Sequence, residues 1–158
     1  MQTKHQTIFL IEQVAEWNDA IFSILHELKF ENIQIFNNTH SAFDAFVKKQ
    51  PDLIICDWYA GKSDSLDFLK KVRNHSLAPN TPFIMVSGII EKIMVKQVVA
   101  LGINEYIVKP FNIKIFKDKI DHALKFRRLG KAKKAKNVHF ETKIAVCIQN
   151  DNILQVVN

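Results

Sequence analysis

The chain has 158 residues, of which 47% are hydrophobic and 24% charged, the balance of an ordinary globular protein with one domain's worth of core and a short remainder. Its apolar runs fall well short of the roughly 20 residues that cross a bilayer. The polar opening MQTKHQT lacks the order of a signal peptide, so a cytoplasmic protein without a membrane partner is expected. The net charge of +6 is concentrated: Lys125, Arg127, Arg128, Lys131, Lys133, Lys134 and Lys136 follow one another with no acidic residue among them, which leaves the rest of the chain near neutral. No aromatic residue interleaves with the lysines of GKAKKAK and no helix-turn-helix pattern follows. That stretch reads as a solvated linker rather than a nucleic-acid surface.

Thr7 to Ile11 (TIFLI) is a short apolar run of the kind expected for a strand buried on both faces. Asp19 to Phe30 carries Ile21, Ile24, Leu25 and Leu28 at helical spacing, with Asn18 placed to cap it. Ile33 to Phe36 then predicts a strand, Ser41 to Lys49 a helix, and Leu53 to Cys56 a third strand. After Asp57 the loop WYAGKSDS leads to a helix bearing Leu66, Leu69 and Val72, and Pro79 and Pro82 bracket a turn before the strand Phe83 to Val86. A helix from about Glu91 to Leu101 stops at Gly102. Glu105 to Val108 is the fifth strand and Asn112 to about Arg128 the fifth helix.

Five strand-helix units in strict alternation predict an α/β fold, a doubly wound parallel sheet with helices on both faces, because parallel neighbours need crossover connections. Residues 1–128 are expected to form this domain, 129–141 a basic linker and 142–158 a tail. In the tail, Ile144 to Ile148 and Ile153 to Val157 flank a turn at Asn150 and Asp151, which suits a hairpin, a dimer arm or the first strand of a further domain. The cysteines, Cys56 and Cys147, are far apart, and Cys56 ends an apolar run where a buried free thiol is expected.

Ligands of parallel α/β sheets bind beyond the carboxyl ends of the strands. Glu12 follows the first strand, Asp57 the third, Ser87 the fourth and Lys109 the fifth. Carboxylates suit a hard divalent cation such as Mg²⁺, and a lysine and a hydroxyl suit phosphoryl oxygens. The pattern therefore points to a phosphoryl group landing on Asp57, although an Asp after a strand is also an ordinary turn residue. The six histidines are scattered with no pair at a metal-binding spacing, so His26 and His122 are expected as helix-surface or boundary residues.

The runs PDLIICDW, PFIMVSG and EYIVKPF resemble, in order and spacing, the three diagnostic blocks of the response-regulator receiver domain, the chemotaxis-regulator-like module of two-component signalling. The resemblance covers about residues 7–128 and implies a strand order of 2-1-3-4-5. It implies Asp57 as the phosphoacceptor, Lys109 as the phosphoryl-binding lysine and Ser87 as the switch hydroxyl. It further implies Tyr106 as the aromatic whose burial follows Ser87, a cis bond between Lys109 and Pro110, and a Mg²⁺ held by Glu12, Gln13, Asp57 and the main-chain carbonyl of Tyr59. The implied partners are a sensor histidine kinase or phosphotransfer protein, a downstream effector, and a second copy in a homodimer. Three positions depart from the family pattern. Gln13 stands where a second acidic residue normally binds the metal, and an amide oxygen can ligate Mg²⁺ but brings no charge. Gly61 replaces a usual proline and Ser65 a usual glycine. An alternative follows from Gln13: a receiver-like interaction module that signals without phosphate. A flavodoxin-like cofactor protein is disfavoured, because no phosphate-cradling loop follows the first strand.

Overall fold

A computed structural model describes residues 5–60, 65–88 and 92–132. Strands β1 (Thr7–Ile11), β2 (Asn32–Phe36), β3 (Leu53–Asp57), β4 (Phe83–Ser87) and β5 (Glu105–Val108) alternate with helices α1 (Ala15–Glu27), α2 (Thr39–Lys48), α3 (Ser65–Arg73), α4 (Lys92–Ala100) and α5 (Ile113–Ala132). The strands form one parallel sheet in the order β2-β1-β3-β4-β5. Fold class and strand order are those expected. The expected hairpin at residues 144–157, most of the basic linker, Gly61 and Cys147 lie outside the described residues.

The apolar runs become the central strands for the reason their composition suggests: every residue of β1, β3 and β4 is buried, while the edge strand β2 is half exposed. The two-residue period of each strand divides the core into two layers. Phe9, Ile11, Ile54, Cys56, Phe83 and Met85 face α2, α3 and α4 through Phe46, Phe68, Leu69, Val72 and Val98. Ile8, Leu10, Leu53, Ile55, Ile84 and Ile107 face α1 and α5 through Ile21, Leu25, Phe116, Ile120 and Leu124.

Several helix ends differ from the sequence-based expectation. Helix α1 starts at Ala15 rather than Asp19, and Asn18 is not its cap: it lies in the first turn, where its side-chain amide donates to the Glu12 carbonyl at 3.4 Å. The helix also ends before Phe30, because Lys29 adopts the left-handed conformation (φ 68°) and lets the Phe30 N–H reach back to the Leu25 carbonyl at 3.0 Å. Helix α2 starts earlier than Ser41, since Asn38 is the cap and accepts from the Ser41 N–H at 2.8 Å. The expected stop at Gly102 holds, with φ at 80°. Helix α5 begins after Asn112, which accepts from the Ile115 N–H, and continues past Arg128 to Ala132.

Two polar clusters brace the sheet away from its carboxyl edge. Arg73, at the end of α3, donates to the carbonyls of Gly102, Pro79 and Thr81 at 2.9, 3.1 and 2.8 Å and to the Asn104 side chain at 3.3 Å. Burial pushes its guanidinium down to about 10, so it remains protonated at neutral pH. Asn104 in turn accepts from the Phe83 N–H at 2.8 Å and donates its own N–H to the Phe83 carbonyl at 2.9 Å, extending the β4–β5 ladder by one rung. At the start of β5, buried Glu105 holds Lys119 of α5 at 2.6 Å and also contacts Nδ1 of His122. His122 is thus at the helix surface as expected, but with a partner beneath it.

Arg73→Met strands the carbonyl acceptors without a donor and is expected to cost about 2–3 kcal/mol in urea unfolding. Burial pushes the Cys56 thiol from 9.0 up to about 12. A folded-state value above the unfolded one means that this contribution to stability is complete below pH 9 and is lost as pH rises through the window from 9 to 12. Denaturant midpoints measured across that window should fall with a component of up to about 1.4 kcal/mol per pH unit that is absent in Cys56→Val. A slope unchanged by the substitution would show that other groups produce the alkaline loss.

Candidate functional site

The carboxyl edge of the sheet gathers the polar residues. Asp57 is the last residue of β3 and Ser87 the last of β4, one position later than the expected strand ends, so both side chains are held by ladder geometry rather than by loops. Glu12 directly follows β1, with its N–H bonded to the Phe36 carbonyl at 3.0 Å. Lys109 follows β5, with its N–H bonded to the Ser87 carbonyl at 2.9 Å. The next peptide, Lys109–Pro110, is cis.

Lys109 joins the two carboxylates. Its Nζ donates to Oε2 of Glu12 at 2.6 Å and to Oδ1 of Asp57 at 2.7 Å, and the side chains of all three are at most 9% exposed. The second oxygen of each acid is also engaged: Oδ2 of Asp57 accepts from the Tyr59 N–H at 2.8 Å, and Oε1 of Glu12 accepts from the Val14 N–H at 2.9 Å. The pocket therefore sets two carboxylates against one ammonium, and a backbone donor orients each acid.

Ser87 and Tyr106 form the neighbouring unit. Both are buried, and their hydroxyls share a hydrogen bond. Burial raises the Tyr106 phenol above its usual value of 10.0, the bond to Ser87 opposes that rise, and the charge of Asp57 adds to it. Tyr106 belongs to the core layer under α4. Gln13 is exposed at the rim, and Tyr59 is 53% exposed.

Glu12, Asp57 and Lys109 are thus brought into contact, Ser87 and Tyr106 stand together beside them, and Gln13 and Tyr59 sit on the rim. Sequence reasoning missed two contributors. The hydroxyl of Ser65, noted there only as a departure from a usual glycine, donates to the Asp57 carbonyl at 2.8 Å and so fastens the start of α3 to the end of β3. The indole of Trp17 in α1 lies with its centroid 5.0 Å from Lys109 Nζ. No spacing rule places a residue of the first helix against the end of the fifth strand.

Comparison with known proteins identifies the fold and the family. The family model for the response regulator receiver domain matches residues 8–121. Chemotaxis protein CheY1 of Helicobacter pylori is 36% identical over 118 residues, which are 74% of this chain and 95% of that protein. Chemotaxis protein CheY-3 of Vibrio cholerae serotype O1 is 25% identical over 118 residues, 75% of this chain and 91% of that protein. Among solved structures, the chemotaxis response regulator CheY4 of Vibrio cholerae superposes with a TM-score of 0.69 at 19% identity, covering 75% of this chain and 98% of that one. The signal receiver domain of a signal transduction histidine kinase from Syntrophus aciditrophicus gives 0.69 at 17% identity, covering 86% of this chain and 98% of that one. The chain belongs to the response regulator receiver domain family.

Proposed function

We propose that this chain accepts a phosphoryl group on Asp57 from a histidine kinase or phosphotransfer protein and thereby switches a partner-binding face in two-component signal transduction. The observation that carries this reading is the ammonium of Lys109 bridging Asp57 and Glu12 at the carboxyl edge of the sheet. An Asp57 carboxylate oxygen attacks phosphorus, the bond from phosphorus to the donor's imidazole nitrogen or acyl oxygen breaks, and an acyl phosphate remains. Lys109 exchanges a carboxylate for a phosphoryl oxygen, so its charge stays where negative charge accumulates. Ser87 turns its hydroxyl from Tyr106 to the phosphoryl group. Loss of that hydrogen bond frees Tyr106 to repack under α4, which transmits the change to the surface formed by α4, β5 and α5. An effector or a second copy of the chain binds there. Loading Asp57 consumes one phosphodonor and leaves the phosphoryl group on the protein, so the protein acts as a switch and not as a turnover enzyme.

The donor set fits Mg²⁺, which is commonly held by one or two carboxylates with water and phosphate oxygens completing its shell. The carboxylates of Glu12 and Asp57 converge on one cation already, and Gln13 and Tyr59, each two residues beyond the end of β1 and β3, would add an amide and a main-chain carbonyl as neutral oxygen donors. Those four residues would hold the ion, which when bound neutralises the phosphoryl oxygens. Among the described residues no group of three or more His, Cys, Asp and Glu side chains gathers that could hold a metal, so the site offers less charge than a three-acid pocket.

The organisation proposed with this function keeps residues 1–128 as the receiver, 129–141 as a basic linker that α5 enters by continuing to Ala132, and 142–158 as a tail. A cytoplasmic location is part of the same reading. Among the described residues no helix is long and apolar enough to cross a membrane.

Incubation with acetyl phosphate and Mg²⁺ should add one phosphoryl group to the intact protein by mass spectrometry, with none added to Asp57→Ala. A wild-type chain that stays unlabelled, and is labelled after Gln13→Asp, would overturn this reading in favour of the phosphate-independent module. Gln13→Asp is expected to tighten Mg²⁺ binding by at least about tenfold, or 1.4 kcal/mol, measured by titrating tryptophan fluorescence. An unchanged affinity would place position 13 outside the metal's reach.

A further inference from the structure

Lys109 has a third neighbour that the phosphoryl-transfer reading does not use. Two of its ammonium directions are taken by Glu12 and Asp57, and the indole of Trp17 covers it at 5.0 Å from Nζ to the ring centroid, within the range of a cation–π contact. The ring is itself held in place. Trp17 packs on Phe111 at 5.5 Å between centroids, and Phe111 stacks on the fully buried Phe116 at 5.0 Å and 25°. This row of rings runs from the first turn of α1 to α5. The entry to α1 is also tied to Glu12, through Val14 N–H, just before the helix, to Glu12 Oε1 and through the Asn18 amide in its first turn to the Glu12 carbonyl.

Packing alone is a poor reason for a tryptophan at this position. Trp17 is only half-buried and belongs to neither layer of the core. It contacts the Lys109 ammonium and the ring of Phe111, two residues further along the chain. A lysine side chain has four flexible torsions, and at 8% exposure this one is confined by walls rather than by water. The indole face is one of those walls.

We infer that Trp17 is a positioning residue for Lys109, holding the ammonium between the ends of β1, β3 and β5 while its hydrogen bonds are exchanged. The inference rests on the phosphoryl-acceptor reading for its consequence, but the contact itself is independent of it. A ring face has no hydrogen-bond direction, so it holds the charge without fixing which oxygens the ammonium serves. Lys109 can then leave a carboxylate for a phosphoryl oxygen without leaving the pocket.

The test uses the full chain and two variants, Trp17→Leu, which keeps an apolar side chain without a ring, and Trp17→Phe, which restores a smaller ring. The ε-methylene resonances of Lys109, assigned by their loss in Lys109→Arg, should be shifted upfield by the indole in the wild type, return towards the ordinary lysine position in Trp17→Leu, and be partly shifted in Trp17→Phe. The rate of labelling by acetyl phosphate at saturating Mg²⁺ should fall about two- to fivefold in Trp17→Leu and recover in part in Trp17→Phe, with thermal midpoints recorded to show that each variant is folded. Lys109 resonances without an upfield shift in the wild type would overturn the inference, as would a Trp17→Leu protein that loses the shift yet labels at the wild-type rate. Absence of label in the wild type defeats the functional reading instead, and the resonances then decide the positioning by themselves.

Discussion

Two carboxylates buried side by side need a cation, and the short ion pairs of Lys109 to Glu12 and Asp57 are the contact on which the rest of this molecule depends. These three residues lie far apart in the sequence and meet only because β1, β3 and β5 end at the same edge of one parallel sheet. Stability is a weak explanation for such a cluster, since removing charges from water costs several kcal/mol per ion and apolar replacements are often neutral or better. Its arrangement makes more sense as a prepared site. Backbone N–H groups orient the second oxygen of each acid, and one acid is left in excess of the base, so the pocket retains a negative charge that a metal or a second cation can share.

β5 is anchored by charge at both ends. Glu105 at its start is bound to Lys119 and His122 of α5, and Lys109 beyond its end is bound across the sheet to β1 and β3. Tyr106 stands between these anchors with its hydroxyl on Ser87. Ion pairs at both ends restrain the strand from moving as a body. Arg73 and Asn104 reinforce the same rigidity at the amino edge by joining α3, the turn before β4 and the turn before β5.

Much of this was legible in the residues. Three uniformly apolar runs read as buried strands because nothing polar interrupts them, and the stop at Gly102 read correctly because a left-handed residue favours glycine. The helix ends that differed have local causes which composition hides. Asn18 reads as a cap, yet the backbone turned it into the first turn of α1, while Asn38 took the cap of α2. Lys29 took the left-handed conformation at the end of α1 although it is neither glycine nor asparagine, and no propensity rule points to it.

By itself, the sequence determined the alternation of strand and helix, hence the parallel sheet, and the identity of the polar residue at each strand end, hence the chemistry available at one edge. Hydrophobic period and strand termini are local properties, readable within a few residues. Tertiary structure alone decided the contacts: which oxygens Lys109 binds, that Ser87 and Tyr106 share a hydrogen bond, that Ser65 fastens the Asp57 carbonyl, and that an indole from α1 covers an ammonium beyond β5. Those contacts join residues separated by several elements, and their distances are set by how helices settle on the two faces of the sheet, which no pattern along the chain encodes.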